Sequence, residues 1–305
     1  MNEQQSTQPQ LDFITGRSSY IYRGVASIAE RQACAELNRQ RACAIKESAR
    51  EYAPSESIPR DVWAASFARR SKLLEVPLIS LSGMGLSDTD VEAMCSVKLG
   101  NVGFGREATA WEDEQEGVVY KLFDLKMDDN LKGTIGYKLV MQGRPPDEVE
   151  IVQVPASIDD ILDKICILHE AGACPTEIAG LTDDGKYLVV KQPKCLPLGD
   201  FRTDQRAAVE AMNAISPKGS YRGNELWVFY ACEKSWILGD LHSKNIMRLP
   251  NGAPTIIDAL TGPLSDYYIT LHPKLSEAAV RAKALSLGYQ VAPDDLYQNI
   301  SDDEL

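Results

Sequence analysis

Residues 236–263 read WILGDLHSKNIMRLPNGAPTIIDALTGP, and this stretch decides the predicted fold. An apolar run from Trp236 is followed by a polar loop that contains Asp240 and Asn245. The turn residues Pro250-Asn251-Gly252 then predict a β-hairpin, whose returning strand ends on Asp258. Three side chains with oxygen donors are therefore predicted to lie at the ends of strands.

The spacing of these three side chains suits phosphoryl transfer. Mg²⁺ prefers oxygen ligands and is shared with substrate phosphates, so Asn245 and Asp258 are the predicted metal ligands. Asp240 precedes them and is free to orient an attacking hydroxyl and accept its proton. The alternative is a hairpin with a polar corner and no chemistry, because short motifs often occur without function.

The same residues resemble the protein-kinase-like superfamily, whose catalytic loop is H-R-D-L-x-x-x-N and whose metal loop is D-F-G. Here Leu238-Gly239 stand in place of His-Arg, and Ala259-Leu260 stand in place of Phe-Gly. The order Gly-Asp-Leu-His, followed by Asn-Ile, is also similar to the catalytic loops of aminoglycoside and choline kinases. The resemblance implies a two-lobed fold of the α+β class, with ATP and Mg²⁺ or Mn²⁺ as cofactors.

A second motif lies upstream, where Gly100, Gly103 and Gly105 stand between two predicted strands. Glycines there would let the backbone approach phosphate oxygens and donate N–H groups to them. Lys121 follows in an apolar strand, where an unpaired ammonium is costly to bury unless a phosphate pairs with it. This stretch resembles the kinase Gly-rich loop and its strand lysine. The alternative is that Lys121 keeps its charge in water at the surface.

The resemblance extends to two further positions. Residues 157–170 are predicted to form an amphipathic helix, in the place where kinases keep the helix whose acidic residue pairs with the strand lysine. Asp163 is the predicted partner of Lys121, and Asp160 is the alternative. Gln192 stands where the interlobe hinge would hold adenine through backbone groups.

The catalytic loop itself does not decide the acceptor. His242 stands where Ser/Thr kinases place a lysine and where small-molecule kinases often have a histidine, and Lys244 occupies the position of a tyrosine-kinase arginine. Both are predicted to contact the nucleotide. His169 and His272 are predicted to be helix and surface residues without a chemical role.

Composition limits the class of protein. The chain has 305 residues, of which 44% are hydrophobic and 25% charged, as expected of a globular protein with a substantial core. No run approaches the 18 or so apolar residues of a membrane span, and the N-terminus MNEQQSTQPQ has no signal-peptide core. Seven cysteines without a C-x-x-C motif are predicted to be buried small hydrophobes. We expect the protein to be located in the cytoplasm, or in a host cell into which it is delivered.

The net charge of −12 is unevenly distributed. Residues 1–75 hold eleven Lys and Arg against nine Asp and Glu, so the acidic excess lies in the remainder. Binding to nucleic acid or anionic membranes requires clustered cations, and we expect neither partner. An acidic domain is compatible with a cationic substrate, either a basic protein segment or an amino-sugar, although a solvated acidic face without a partner is the commoner arrangement.

The predicted organisation is an N-terminal helical extension, residues 1–96, followed by a kinase-like domain, residues 97–305. The extension has a disordered start and helices from Ser27 to about Tyr52, from Arg60 to Glu75, and from Ser87. Its stripe of Trp63, Phe67 and Leu74 is predicted to pack in cis on the rest of the chain, the alternative being a docking site for a partner.

Within the kinase-like domain, residues 97–192 are the predicted small lobe and residues 193–305 the large lobe. Residues 124–156 are predicted to be an irregular insert, and two strands are predicted around residues 177–179 and 187–191. Only 47 residues follow Asp258, so the large lobe is abbreviated. The resemblance is therefore to minimal kinase-like proteins of bacteria and their phages.

The predicted function is a phosphotransferase that uses ATP and Mg²⁺ and acts on Ser, Thr or Tyr hydroxyls of a protein substrate. One alternative keeps the chemistry but uses a small-molecule acceptor of the aminoglycoside or choline type. A second is a kinase-like binding protein without catalysis; the presence of Lys121, Asp240, Asn245 and Asp258 together argues against it.

Overall fold

The computed structural model describes residues 27–51, 60–104, 107–125, 135–145, 148–217 and 226–291. Helices and strands are mixed throughout these ranges, which confirms the α+β class. The chain divides into two compact units. Unit 1 contains Met1–Met127 and Pro175–Lys194, and unit 2 contains Asp128–Cys174 and Cys195–Leu305.

The strands and helices of the described residues follow in chain order. The strands are β1 (Leu78–Ile79), β2 (Gly100–Phe104), β3 (Ala108–Asp113), β4 (Val118–Asp124), β5 (Gly136–Arg144), β6 (Glu148–Ala156), β7 (Glu177–Thr182), β8 (Tyr187–Pro193), β9 (Trp227–Ala231), β10 (Lys234–Gly239), β11 (Ile246–Arg248), β12 (Pro254–Ile256) and β13 (Leu260–Pro263). The helices are α1 (Ile28–Glu51), α2 (Arg60–Leu73), α3 (Leu81–Met84), α4 (Asp88–Ala93), α5 (Ile158–Ala171), α6 (Phe201–Ala211), α7 (Asp266–Leu271) and α8 (Pro273–Ser286). In the described part of the chain, none of these helices combines the length and the apolar character needed to span a bilayer.

Unit 1 is built on a six-stranded sheet in the order β1-β7-β8-β4-β3-β2. β1 pairs with β7 in parallel, and the other neighbours are antiparallel. Every residue of β8 is buried, because the strand lies inside the sheet. Trp111, Leu122 and Val189 fill the core on one face together with Leu81 of α3 and Val91 of α4.

The N-terminal helices pack on this sheet in cis. On α1, the Asn38 amide donates to the Thr176 carbonyl at 2.7 Å and accepts from the Ile178 N–H at 2.8 Å. On α2, Trp63 and Phe67 are buried and stacked with ring centroids 5.0 Å apart. A side chain at Gly185 would place a Cβ 2.1 Å from the Ala64 carbonyl oxygen, so α2 contacts the β7–β8 turn closely. The extension therefore shares a core with the sheet.

Local signals in the sequence account for the starts of these helices. Ser27 and Glu30 form reciprocal side-chain to backbone hydrogen bonds of 3.2 and 2.8 Å at the start of α1. Ser87 and Asp90 do the same at α4, and both arrangements are capping boxes. The predicted starts of these helices are confirmed, whereas α3 and β1 were not predicted.

Unit 2 combines a three-stranded sheet, in the order β13-β10-β9, with the hairpins β5-β6 and β11-β12. Helix α6 packs on β12, and α8 packs on β9. β13 and β5 approach so closely that a Cβ at Gly262 would lie 1.8 Å from the Leu139 carbonyl oxygen. Leu139, Ile237 and Leu275 lie in the core that joins these elements.

The prediction of an irregular insert over residues 124–156 is wrong for the residues that the structure describes. β5 and β6 form an antiparallel hairpin of nine-residue strands, paired from Gly136 with Ala156 to Arg144 with Glu148. Leu139 and Ile151 are buried in the core of unit 2. Glycines and prolines lie towards the ends of these strands, and such residues are typical of turns, so the sequence pattern did not indicate strands. Residues 126–134 and 146–147 lie outside the described residues.

Two further expectations need correction. His272 is buried rather than exposed, and its ring nitrogen accepts from the Leu275 N–H at 3.4 Å at the start of α8. His169 is fully buried on α5.

Among the cysteines, only Cys34, Cys166 and Cys174 are buried, whereas Cys195 and Cys232 are half-buried and Cys43 and Cys95 are exposed. The cysteines are therefore not a uniform set of core residues.

Candidate functional site

Asp240 follows the last residue of β10 and has a positive φ of 62°. Residues other than glycine rarely adopt this conformation, which costs of order 1–3 kcal/mol and is concentrated at functional sites. Two neighbours hold the loop: the Asn245 N–H donates to the His242 carbonyl at 2.9 Å, and the Lys244 N–H donates to His242 Nδ1 at 3.2 Å. The strained backbone is thus supported by the residues that follow it.

Asn245 ties the loop to Asp240 directly. Its side-chain nitrogen donates to the Asp240 carbonyl at 2.7 Å and to Asp240 Oδ2 at 3.3 Å. The residue is buried, and its amide N–H₂ is used within the loop. Oδ1 is the atom of this side chain that can bind a cation.

The hairpin β11-β12 brings Asp258 to the same loop. The Ile257 N–H donates to the Asn245 carbonyl at 3.0 Å, which extends the pairing of Ile246 with Ile256 by one step. Asp258 is the next residue, so it lies one position beyond the partner of Asn245. The hairpin therefore places the backbone that leads into Asp258 beside Asn245, whose side chain is bonded to Asp240.

Lys164 is a member of this group that sequence reasoning missed. Its Nζ lies 3.9 Å from Asp258 Oδ1, and its side chain is only 7% exposed whereas that of Asp258 is 48% exposed. The helical period that placed Ile161 and Ile165 on the buried face of α5 also places Lys164 there. A lysine at a buried helical position was the available signal.

Asp163, the predicted partner of Lys121, is exposed on α5 in unit 2. Asp160, the alternative, accepts from Lys138 Nζ at 2.8 Å and completes the capping box with Ser157. Lys138 holds the pKa of Asp160 below its ordinary value, even though burial acts to raise it. Asp160 thus stabilises the start of α5, and the pairing of Asp163 with Lys121 stays a prediction.

His242 is a titratable neighbour of Asp240. His242 Nε2 lies 3.7 Å from Asp240 Oδ1, and the side chains are 52% and 40% exposed. Lys244 is exposed on the same loop. The carboxylate of Asp240 is accessible to solvent, as a group that meets an external hydroxyl must be.

The remaining predicted site residues lie in unit 1. Lys121 is half-buried on β4, between Ala110 of β3 and Val190 of β8. Gly100 and Gly103 lie within β2, not between strands as predicted, and the β2–β3 register shifts between Asn101 and Gly103.

Gly105 lies outside the described residues. Gln192 is buried at the end of β8, and its side-chain nitrogen donates to Thr176 Oγ1 at 2.8 Å. That side chain links the end of β8 to Thr176, the residue before β7, whereas the contact predicted at this position uses backbone groups.

The donors in unit 2 fit a small hard cation by their chemistry. Asp240, Asn245 and Asp258 offer carboxylate and amide oxygens, which are the ligands that Mg²⁺ prefers. Within the ranges that the structure describes, three or more His, Cys, Asp or Glu side chains nowhere cluster as a metal site. A cation here would therefore be held by few protein ligands, as is usual for Mg²⁺.

Comparisons with protein-family models, with curated proteins and with solved structures found no match to this chain. The functional interpretation therefore rests on the residues and their geometry.

Proposed function

We propose that this protein is an ATP- and Mg²⁺-dependent phosphotransferase with a two-lobed, protein-kinase-like fold. One observation carries the proposal, namely that Asn245 bonds to both parts of the site. Its side-chain nitrogen donates to the Asp240 carbonyl at 2.7 Å, and its own carbonyl accepts from the N–H of Ile257, the residue before Asp258, at 3.0 Å. A proton acceptor and two cation ligands of the kinds that phosphoryl transfer needs lie in one short segment.

In this proposal Asp240 orients the acceptor hydroxyl and takes its proton. Its side chain is 40% exposed, and the Asn245 amide fixes one of its oxygens. The other oxygen can accept a hydrogen bond from a hydroxyl. Asn245 and Asp258 would hold Mg²⁺ or Mn²⁺, which when bound neutralises negative charge on the transferred phosphoryl group.

Residues of unit 1 complete the proposed assignments. Lys121 and the glycines at 100, 103 and 105 would bind ATP phosphates, and backbone groups near Gln192 would bind adenine. Lys121 is half-buried in a strand with Leu122 beside it in the core, and a phosphate would offset the cost of keeping its ammonium there. Asp163 is proposed to orient Lys121.

The proposed acceptor is a hydroxyl of a protein Ser, Thr or Tyr. The net charge of −12 favours a substrate with positive charge, so a basic protein is the first acceptor to test. His242, 3.7 Å from Asp240, and Lys244 are proposed to contact the nucleotide. An amino-sugar carries the same sign of charge and is the small-molecule acceptor to compare.

The test is incubation of the full chain with γ-labelled ATP, Mg²⁺ and either a basic protein or an aminoglycoside. We expect labelled protein, with loss of labelling by orders of magnitude in Asp258→Ala. Label in the aminoglycoside alone would change the acceptor class, and no transfer to either would contradict catalysis.

A binding measurement separates the nucleotide site from the transfer step. We expect ATP to raise Tm only when Mg²⁺ or Mn²⁺ is present, and Asp258→Ala to abolish this rise. Asp266→Ala, which removes an exposed carboxylate from the first turn of α7, is the matched control and should retain it. An undiminished rise in Asp258→Ala would overturn the assignment of Asp258 as a ligand.

A further inference from the structure

Two cysteines of unit 2 lie in contact although they are 21 positions apart in sequence. The distance from Cys174 Sγ to Cys195 Sγ is 3.8 Å. A disulfide needs a sulfur–sulfur distance of about 2.05 Å, so the two thiols must approach by less than about 2 Å. The Cys195 side chain is half-buried, and rotation about its Cα–Cβ bond is the movement that would bring the two sulfurs together.

Both cysteines are held in place by backbone hydrogen bonds to the β11-β12 hairpin. The Cys174 N–H donates to the Ile256 carbonyl on β12 at 3.0 Å. Leu196, the residue after Cys195, exchanges backbone hydrogen bonds of 2.7 and 2.9 Å with Arg248 on β11. The two sulfurs are thus brought together by the same hairpin, and their proximity does not depend on a free loop.

The two thiols differ in access to solvent. Cys174 is 2% exposed, whereas Cys195 is half-buried. An external oxidant reaches Cys195 first, and Cys174, whose sulfur lies 3.8 Å away, can then attack the modified sulfur. A reachable thiol next to a second thiol is the arrangement found in cysteines that cycle between thiol and disulfide.

We propose that Cys174 and Cys195 form a redox-active pair that is oxidised to an intramolecular disulfide by a low-molecular-weight disulfide such as oxidised glutathione. The Cys195 thiolate attacks one glutathione sulfur, forms a mixed disulfide and releases one glutathione thiolate. The Cys174 thiolate then attacks Cys195 Sγ and expels the second glutathione thiolate. Two protein thiols are oxidised, one disulfide is reduced to two thiols, and the two protons pass to the released thiolates or to water.

The bond has a defined structural consequence. The chain between the two cysteines, Pro175–Lys194, is the second segment of unit 1 and contains β7 and β8. The disulfide would close this segment into a covalent ring and so reduce the conformational freedom of the unfolded chain. Oxidation should therefore raise Tm by roughly 5 °C or more.

The test is equilibration of the folded full chain in glutathione buffers of increasing oxidised fraction, followed by alkylation, proteolysis and mass spectrometry. We expect a peptide pair joined through Cys174 and Cys195 and lighter by two hydrogens. Cys232 is the internal reference: it is also half-buried, and its thiol lies against the Glu170 carboxylate at 3.3 Å. It should yield only a mixed disulfide with glutathione.

Variants decide whether the pair acts as inferred. Cys195→Ser should fold normally and lose both the joined peptides and the rise in Tm, whereas Cys232→Ser should retain both. In Cys174→Ala, glutathione should accumulate on Cys195, because the resolving thiol is missing. A lasting mixed disulfide on Cys195 in the wild type, or joined peptides that form only in denaturant, would overturn the proposal.

Discussion

Two ion pairs, one in each unit, show how differently this chain uses buried charge. In unit 1, Arg41 and Glu177 lie 2.9 Å apart and are both less than 10% exposed. In unit 2, Lys164 lies 3.9 Å from Asp258, and only the lysine is buried. The first pair is closed to solvent on both sides, whereas the second leaves a carboxylate available to a ligand.

The contacts around the pairs sharpen this difference. Arg41 also donates to the Ile178 carbonyl at 2.6 Å, so it joins α1 to β7 at two points. Burial raises the pKa of Glu177 above its ordinary value, although the charges of Arg41 and Lys191 act to lower it. The lesson is that the closed pair joins two elements of the fold and makes each partner depend on the other, whereas the open carboxylate lies near a strained loop of the kind concentrated at functional sites.

The largest expected effect comes from breaking the closed pair. Arg41→Met should lower the free energy of unfolding by about 3–5 kcal/mol, because it leaves a buried carboxylate without its partner. Urea denaturation at pH 7 measures this loss. Arg39→Met is the matched control: Arg39 lies on the same helix but is 46% exposed, and the change should cost less than about 0.5 kcal/mol.

The pH dependence of this variant gives a second check. The folded pKa of Glu177 is raised, so its favourable contribution is complete below the ordinary pKa and is lost as pH rises through the folded pKa. Without Arg41 this pKa should rise further. The loss of unfolding free energy in Arg41→Met, relative to wild type, should therefore be greatest at neutral pH and should shrink as pH falls towards the ordinary pKa of Glu. A loss that stays constant with pH would contradict this account.

The second prediction concerns the strained loop of unit 2. Asp240→Asn should reduce phosphate transfer by at least about a hundredfold, because the proton acceptor is lost. Asn tolerates a positive φ, so the free energy of unfolding and the affinity for ATP should stay nearly unchanged. Single-turnover transfer and calorimetric titration measure the two quantities. Equal losses of binding and transfer would show that Asp240 is a binding residue.

A third prediction tests an ion pair within unit 2 whose carboxylate, rather than its cation, is the buried partner. Arg248 donates twice to Asp204, at 2.8 and 2.9 Å, and these hydrogen bonds hold the pKa of Asp204 below its ordinary value. Asp204→Asn should therefore cost about 1.5–3 kcal/mol of unfolding free energy at pH 7. The exposed Arg206–Glu210 pair on the same helix provides the control, since Glu210→Gln should cost less than about 1 kcal/mol.

The contribution of Asp204 to the free energy of unfolding depends on pH with the opposite sign to that of Glu177. A lowered folded pKa gives stability that is present above the unfolded pKa, near 3.9 for Asp, and is lost as pH falls through the folded value. The difference between wild type and Asp204→Asn should thus be constant near neutrality and shrink below about pH 4. A difference that grows in acid would rule out the proposed role of Asp204.

The smallest change in stability is expected when the open pair is broken. Lys164→Met keeps the volume of the side chain and leaves a carboxylate that water can solvate, so the free energy of unfolding should change by less than about 1 kcal/mol. Transfer should fall by roughly tenfold, because Asp258 loses the neighbour that positions it. Lys138→Met, which breaks the pair between Lys138 of β5 and Asp160 of α5, should leave transfer unchanged.

Local patterns were predicted well where the deciding residues are close in sequence. Helices were predicted to begin at Ser27, Ser87 and Ser157, and each of these serines forms a capping box at the start of α1, α4 or α5, with both partners within one helical turn. The turn at residues 250–252 likewise indicated the hairpin β11-β12. The grouping of Asp240, Asn245 and Asp258 followed, since the hairpin itself pairs the ends of the segment.

Features that depend on distant partners could not be read in this way. The strands β5 and β6 could not be recognised because each is fixed by its pairing with the other and by the core that Leu139 joins, and glycines and prolines stand at their ends. Lys164 was hidden for another reason: whether a lysine in an amphipathic helix is buried depends on the carboxylate placed opposite it, here 94 residues away at Asp258.

The sequence alone therefore determined where α1, α4 and α5 begin and the order of the oxygen-bearing side chains along one hairpin. Each depends on hydrogen bonds or turns between residues a few positions apart, which the chain encodes locally. Only the tertiary structure decided that Arg41 meets Glu177 across 136 positions and that Cys174 meets Cys195. Burial and charge pairing belong to surfaces brought together by packing, so no short stretch of sequence specifies them.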